Sequence, residues 1–105
     1  MRIQVVNFNL TKFSDAEYRR ACDGWAPILA AVPGLISKVW LADEATNTYG
    51  GVYTWLDRDA MEAFARSDFF HAFATNPSFT NITSRDFDVL ESPTRVTRAR
   101  VAVAA

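Results

Sequence analysis

Lys38, Trp40, Tyr53 and Trp55 are the residues with the most chemistry to offer, because a cation and three large rings recur within two neighbouring apolar stretches. An amine beside aromatic faces suits a small ring compound: the rings stack on it and the cation answers any negative charge it carries. Asn7 and Arg85 lie in stretches that alternate like strands, and their polar ends belong in or near the same sheet. These six residues, Asn7, Lys38, Trp40, Tyr53, Trp55 and Arg85, form the expected substrate-binding set of an aromatic-lined pocket. Trp25 instead falls in a helical stripe and reads as core.

No residue earns a catalytic assignment. His71 is the sole histidine, follows Phe69-Phe70 on an expected helix, and has no partner carboxylate close in sequence, so it reads as non-catalytic. Without a second histidine, an HExxH pattern or a carboxylate cluster, no metal site is expected. Gly50-Gly51 lacks the residues that turn a glycine pair into a phosphate cradle. The pair marks a bulge, or a point where a ring or ligand presses on the backbone. Cys22 sits in a helical stripe and reads as core.

The elements that must position these residues follow from periodicity. Leu35, Val39 and Leu41 alternate with Ile36, Lys38, Trp40 and Ala42, a strand with one aliphatic and one mixed face. Residues 43–48 supply a polar turn, and a second strand opens on Gly50-Gly51 and runs to Trp55. Ahead of this hairpin, Arg2 to Leu10 reads as a strand whose apolar phase slips near Val5-Val6. Ser14 and Glu17 form a capping box that starts a helix with Tyr18, Cys22, Trp25 and Leu29 on one stripe. Pro27 should kink or break that helix, and Pro33-Gly34 ends it. After the hairpin, Asp57 and Ser67 each start a helix, a strand runs from about Phe79 to Leu90, and residues 94–105 form a C-terminal arm or edge strand.

Strand, helix, strand, strand, helix, strand predicts an α+β ferredoxin-like sandwich, with a four-stranded antiparallel sheet and helices on one face. Large apolar residues on both sheet faces call for a partner on the uncovered one, and a homodimer packing sheet against sheet supplies it. The 105 residues make a single domain, 1–105. A net charge of −1 gives no reason to expect nucleic acid or a membrane surface as partner. The basic stretch of Arg95, Arg98 and Arg100 is too sparse for a polyanion site and reads as a solvated tail, or one pairing with acids. A lone cysteine and the lack of any long apolar run point to a cytoplasmic protein.

Pro33-Gly34-Leu35, Lys38-Val39-Trp40, Glu44, Gly50-Gly51-Val52-Tyr53, Phe87-Asp88-Val89, Glu91 and Pro93 together resemble the YdhR-type monooxygenases of the dimeric α+β barrel superfamily. The resemblance implies a homodimer, a small hydrophobic cleft between sheet and helices, and a cofactor-independent monooxygenase acting on an aromatic or polyketide-like compound. Where members of that superfamily often carry histidines in the helix after the third strand, this chain has Phe64 and Phe69. A non-redox cyclase, isomerase or lyase on the same scaffold, and a small-molecule-binding protein without turnover, are the alternative readings.

Overall fold

The computed structural model describes residues 1–104, with side chains described through Thr97. Arg2–Leu10 forms β1, and Gln4, Val6, Phe8 and Leu10 all turn to one side, where they are buried. The strand keeps one phase throughout, with no slip at Val5-Val6. Gln4 is a polar residue in an apolar row, kept there because Trp55 Nε1 donates to its Oε1 at 2.9 Å and its Nε2 donates to Ser84 Oγ at 3.0 Å. A buried amide bonded at both ends avoids the penalty of an unpaired polar group. The irregularity lies further along, between Asn7 and Asn9 against the last strand, where Asn81 adopts a left-handed φ of 53°.

Helix α1 spans Asp15–Ala30, and both bonds of the Ser14/Glu17 capping box are present. Pro27 lies inside it without ending it, contrary to the expected break. Asp23 and Pro27 are both exposed, so the Asp23 carbonyl that Pro27 leaves without a donor lies on the side open to water, while buried Tyr18 and Leu29 hold the other side to the sheet.

Strands β2 (Leu35–Asp43) and β3 (Thr48–Trp55) form the hairpin, followed by α2 (Arg58–Ala65), α3 (Asp68–Thr75), β4 (Phe79–Asp88) and α4 (Glu91–Ala104). Asp57 caps α2 by accepting from Ala60 N, and Ser67 caps α3 by accepting from Phe70 N. The strands lie in the order β2-β3-β1-β4 with every neighbouring pair antiparallel. Helices α1, α2 and α3 pack their apolar sides onto one sheet face, which makes the fold α+β and ferredoxin-like.

The segment from residue 94, expected as an arm or edge strand, is helical from Glu91. Pro93 falls in the first turn, where no intrahelical amide bond is required, and Glu91 pairs with Arg95 one turn on at 3.9 Å. Alanine and arginine, both strong helix formers, outweigh the alternating valines. The side chains of Arg98, Arg100, Val101 and Val103 lie outside the described residues, and so does any acid pairing of the two arginines. Helix α4 begins over the second sheet face, where Leu90 and Thr94 lie near Ile3, Thr54 and Phe87. That face leaves Val39 58% and Phe87 48% exposed. Among the described residues, no helix is long and apolar enough to cross a membrane.

Candidate functional site: an aromatic cavity around Lys38

A cavity of about 230 Å³ lies between the sheet and its three helices. Lys38, Trp40, Tyr53 and Phe8 rise from the strands, Tyr18 and Trp25 descend from α1, and Phe64, Phe69, Phe70 and Phe73 come from α2 and α3. The rings brace one another edge to face: Phe8 meets Tyr18, Phe73 and Phe79 with centroids 5.1–5.8 Å apart. Exposed Ala72 on α3 and Asn76 just after it also border the cavity and place its mouth on that side.

Strand register brings the polar part together. The β2–β3 pairing sets Lys38 opposite Tyr53 and Trp40 opposite Gly51, so all four belong to the helix-covered face. A register shift between Leu35 and Ser37 absorbs Ile36, so Lys38 and Trp40 stay in phase with β3. A Cβ on Gly51 would stand 2.6 Å from Lys38 Cε and 3.4 Å from Tyr53 Cε1. The lysine chain therefore lies in the groove that the missing side chain leaves. Gly50 answers a different demand: at φ 152° a Cβ there would stand 1.8 Å from the Val6 carbonyl oxygen. The register is unbroken at the glycine pair, so close approach accounts for both residues and a bulge for neither.

The Lys38 ammonium lies 3.4 Å from the Trp40 ring centroid and 4.6 Å from that of Tyr53. Burial pushes its pKa from the ordinary 10.5 down to about 8. Ion pairs among the described residues form elsewhere, Arg2 with Asp86 and Asp88 and Arg19 with Asp15 among them, and none engages Lys38. Burial raises the Tyr53 phenol to about 12 and raises the Tyr18 phenol and the Cys22 thiol as well. The cavity thus offers one amine near its neutral point among protonated phenols and hydrocarbon rings.

Of the six residues expected to bind substrate, Lys38, Trp40 and Tyr53 meet in this cavity. Trp55 is 0% exposed, stacked parallel to Tyr53 at 5.8 Å and bonded to Gln4, so it backs the wall without reaching the space. Asn7 and Arg85 lie on the other sheet face. Asn7 donates to the Tyr49 carbonyl at 3.4 Å, and the exposed Arg85 guanidinium lies 5.8 Å from the Phe87 ring. Strand phase separates them from the cavity: each alternates with neighbours that face the helices. His71 is exposed on α3 and does not line the cavity, whereas Phe64 and Phe69 do.

Trp25, which reads as core from its spacing, and Tyr18 on the same helical stripe both line the cavity. Their helical spacing was visible, but a stripe that packs on a sheet and a stripe that roofs a cavity have the same period. The phenylalanines of α2 and α3 were hidden for the same reason.

Residues 3–100 match the family model described as "Putative mono-oxygenase ydhR". Among functionally curated proteins, none matches. Solved structures similar to this chain include the cofactor-independent oxygenase SnoaB from Streptomyces nogalater, at 23% identity and a TM-score of 0.66, covering 87% of this chain and 95% of that one. The heme-degrader MhuD from Mycobacterium tuberculosis, with two hemes bound in its active site, aligns at 19% identity and a TM-score of 0.65, covering 86% and 96%. A protein of unknown function from Nitrosomonas europaea reaches a TM-score of 0.71 at 13% identity, covering 87% and 90%. At these identities the likeness shows a shared fold, the α+β ferredoxin-like one described above. The family match spans nearly the whole sequence, and the chain therefore belongs to the ydhR family.

Proposed function

We propose that the protein is a cofactor-independent monooxygenase acting on a compact hydroxylated aromatic or polyketide-like compound held in the Lys38 cavity. The observation that carries this reading is the Lys38 amine, without an ion-pair partner among the described residues, set between Trp40 and Tyr53 in a space walled mainly by rings. At about 230 Å³ the cavity is smaller than the ~300–1,000 Å³ of most ligand pockets, which favours a substrate of one or two rings.

In this reading Trp40, Tyr53 and Trp25 position the ring system, and Lys38 as the free amine takes the proton of a phenolic hydroxyl. The resulting ammonium holds the phenolate electrostatically where little water competes. The phenolate is electron-rich enough to react with dioxygen. One oxygen atom enters the ring carbon as a quinone carbonyl, the other leaves as water, and the substrate supplies all four electrons that dioxygen takes up, as in the conversion of a naphthol and O₂ to a naphthoquinone and water. Phe64 and Phe69 add apolar wall and no base, so proton transfer falls to Lys38.

Oxygen uptake with naphthols, hydroxyanthracenes and dihydroquinones tests the reading. Uptake that yields quinone and is lost in Lys38→Met is expected. Binding without uptake across the panel would favour a binding protein, and a changed product mass under argon would favour a cyclase, isomerase or lyase.

The open sheet face supports a homodimer packed sheet against sheet, since Val39 and Phe87 lie exposed there with half-exposed Ile36 at its edge. A sedimentation mass near 11.8 kDa at micromolar concentration would refute the dimer.

A further inference from the structure

We propose that Lys38 is also a carbonyl-capturing nucleophile, whose amine condenses with small aromatic aldehydes entering the cavity to form a Schiff base. This goes beyond the oxygenase reading, for it needs neither dioxygen nor a phenolic hydroxyl.

Three features of the cavity combine here. The amine borders a space wide enough for a ring, so a carbonyl carbon can reach it. Trp40 and Tyr53 flank the nitrogen at 3.4 and 4.6 Å from their centroids, and the same faces would stack the aryl group of an aldehyde against the nitrogen. Among the described residues no carboxylate ties the amine up in an ion pair, and burial brings its pKa to about 8, so a sizeable share is the free nucleophile near neutrality. Cation–π attraction opposes deprotonation, but at about 0.5–2 kcal/mol it leaves a part of the population neutral.

In the reaction the nitrogen lone pair forms a C–N bond to the carbonyl carbon, giving a carbinolamine. The carbonyl oxygen then leaves as water with the two amine hydrogens, and a C=N bond remains. No electrons are exchanged with an outside reagent.

The chain carries one other lysine, exposed Lys12, which serves as an internal standard. The test incubates the intact protein with benzaldehyde and sodium cyanoborohydride near neutral pH under argon, then quantifies benzylation of each lysine by peptide mass mapping. Lys38 is expected to be labelled roughly tenfold or more faster than Lys12, the gain in free amine exceeding the loss of intrinsic nucleophilicity. Naphthalene, which competes for the cavity without reacting, should slow labelling at Lys38 and leave Lys12 unchanged. Lys38→Arg should remove the fast phase while keeping a cation between the rings. Equal rates at the two lysines, or fast Lys38 labelling indifferent to naphthalene, would overturn the proposal, and both are read on the wild-type protein whether or not the variant folds.

Discussion

Replacing Lys38 by methionine should stabilise the protein most at neutral pH and least in alkali. The partly buried amine has its pKa lowered from 10.5 to about 8, which at about 1.4 kcal/mol per tenfold amounts to at most roughly 3 kcal/mol against the charged form. The rings of Trp40 and Tyr53 offset this by about 0.5–2 kcal/mol, so desolvation wins. For a base with a depressed folded pKa, the unfolded chain binds the extra proton between the two values. Stability therefore rises with pH from about 8 to 10.5, and below about 8 the full cost is present. Methionine keeps an unbranched chain over Gly51 and carries no charge to bury. Urea unfolding of both proteins near pH 7 and pH 9.5 should show the advantage of Lys38→Met shrinking by about 1–2 kcal/mol over that span, with equal m-values. Titration of the tyrosines is common to both and cancels in the difference. A pH-independent difference would mean that Lys38 stays charged throughout, and would remove the amine's role as base and as nucleophile together.

The three tryptophans should separate by position: Trp25→Ala and Trp40→Ala weaken binding of a naphthol followed by calorimetry, whereas fully buried Trp55→Ala costs about 3–5 kcal/mol in denaturant unfolding. A methyl group on Gly24 would meet nothing within 4 Å, so Gly24→Ala should stabilise α1 by about 0.5–1 kcal/mol, while Gly50→Ala, with a positive φ and the Val6 carbonyl in the way, should cost more than ~2 kcal/mol by the same measurement. His71→Gln should keep turnover of any active substrate within about tenfold, since a general base typically supplies 10²–10⁴; a larger loss in a folded variant would move the chemistry to α3.

Elements were legible in the sequence wherever one local force dominated. Ser14 with Glu17, Asp57 and Ser67 announced three helix starts through their own hydrogen bonds, and alternation announced the hairpin. Faces were harder, because they depend on which residue across the sheet satisfies a polar group. Gln4 looked like a break in phase until Trp55, 51 positions away, proved to be its partner. Asn7 and Arg85 were assigned to the pocket on polarity alone, although phase put them on the opposite face. Residues 94–105, with their spaced valines, read as an arm or edge strand, whereas alanine and arginine content decides for helix. Half the candidate site was visible because Lys38, Trp40 and Tyr53 share a hairpin. The roof was not, since nothing in a helical stripe says whether its rings touch a strand or stand off from it.

Gly51 ties the history of this cavity to that of its amine. The lysine chain occupies the volume a side chain at position 51 would claim, so a substitution there must push the end of Lys38 aside. A lineage that keeps the amine where it now lies needs glycine at 51. One that trades Lys38 for a short residue is released from that constraint, and can refill the groove with a side chain that narrows the cavity and changes what it admits. Substitutions at 38 and 51 should then be epistatic, a change at 51 costing less once the lysine is gone, so that a shift in substrate would be reached more easily by removing the lysine before replacing the glycine.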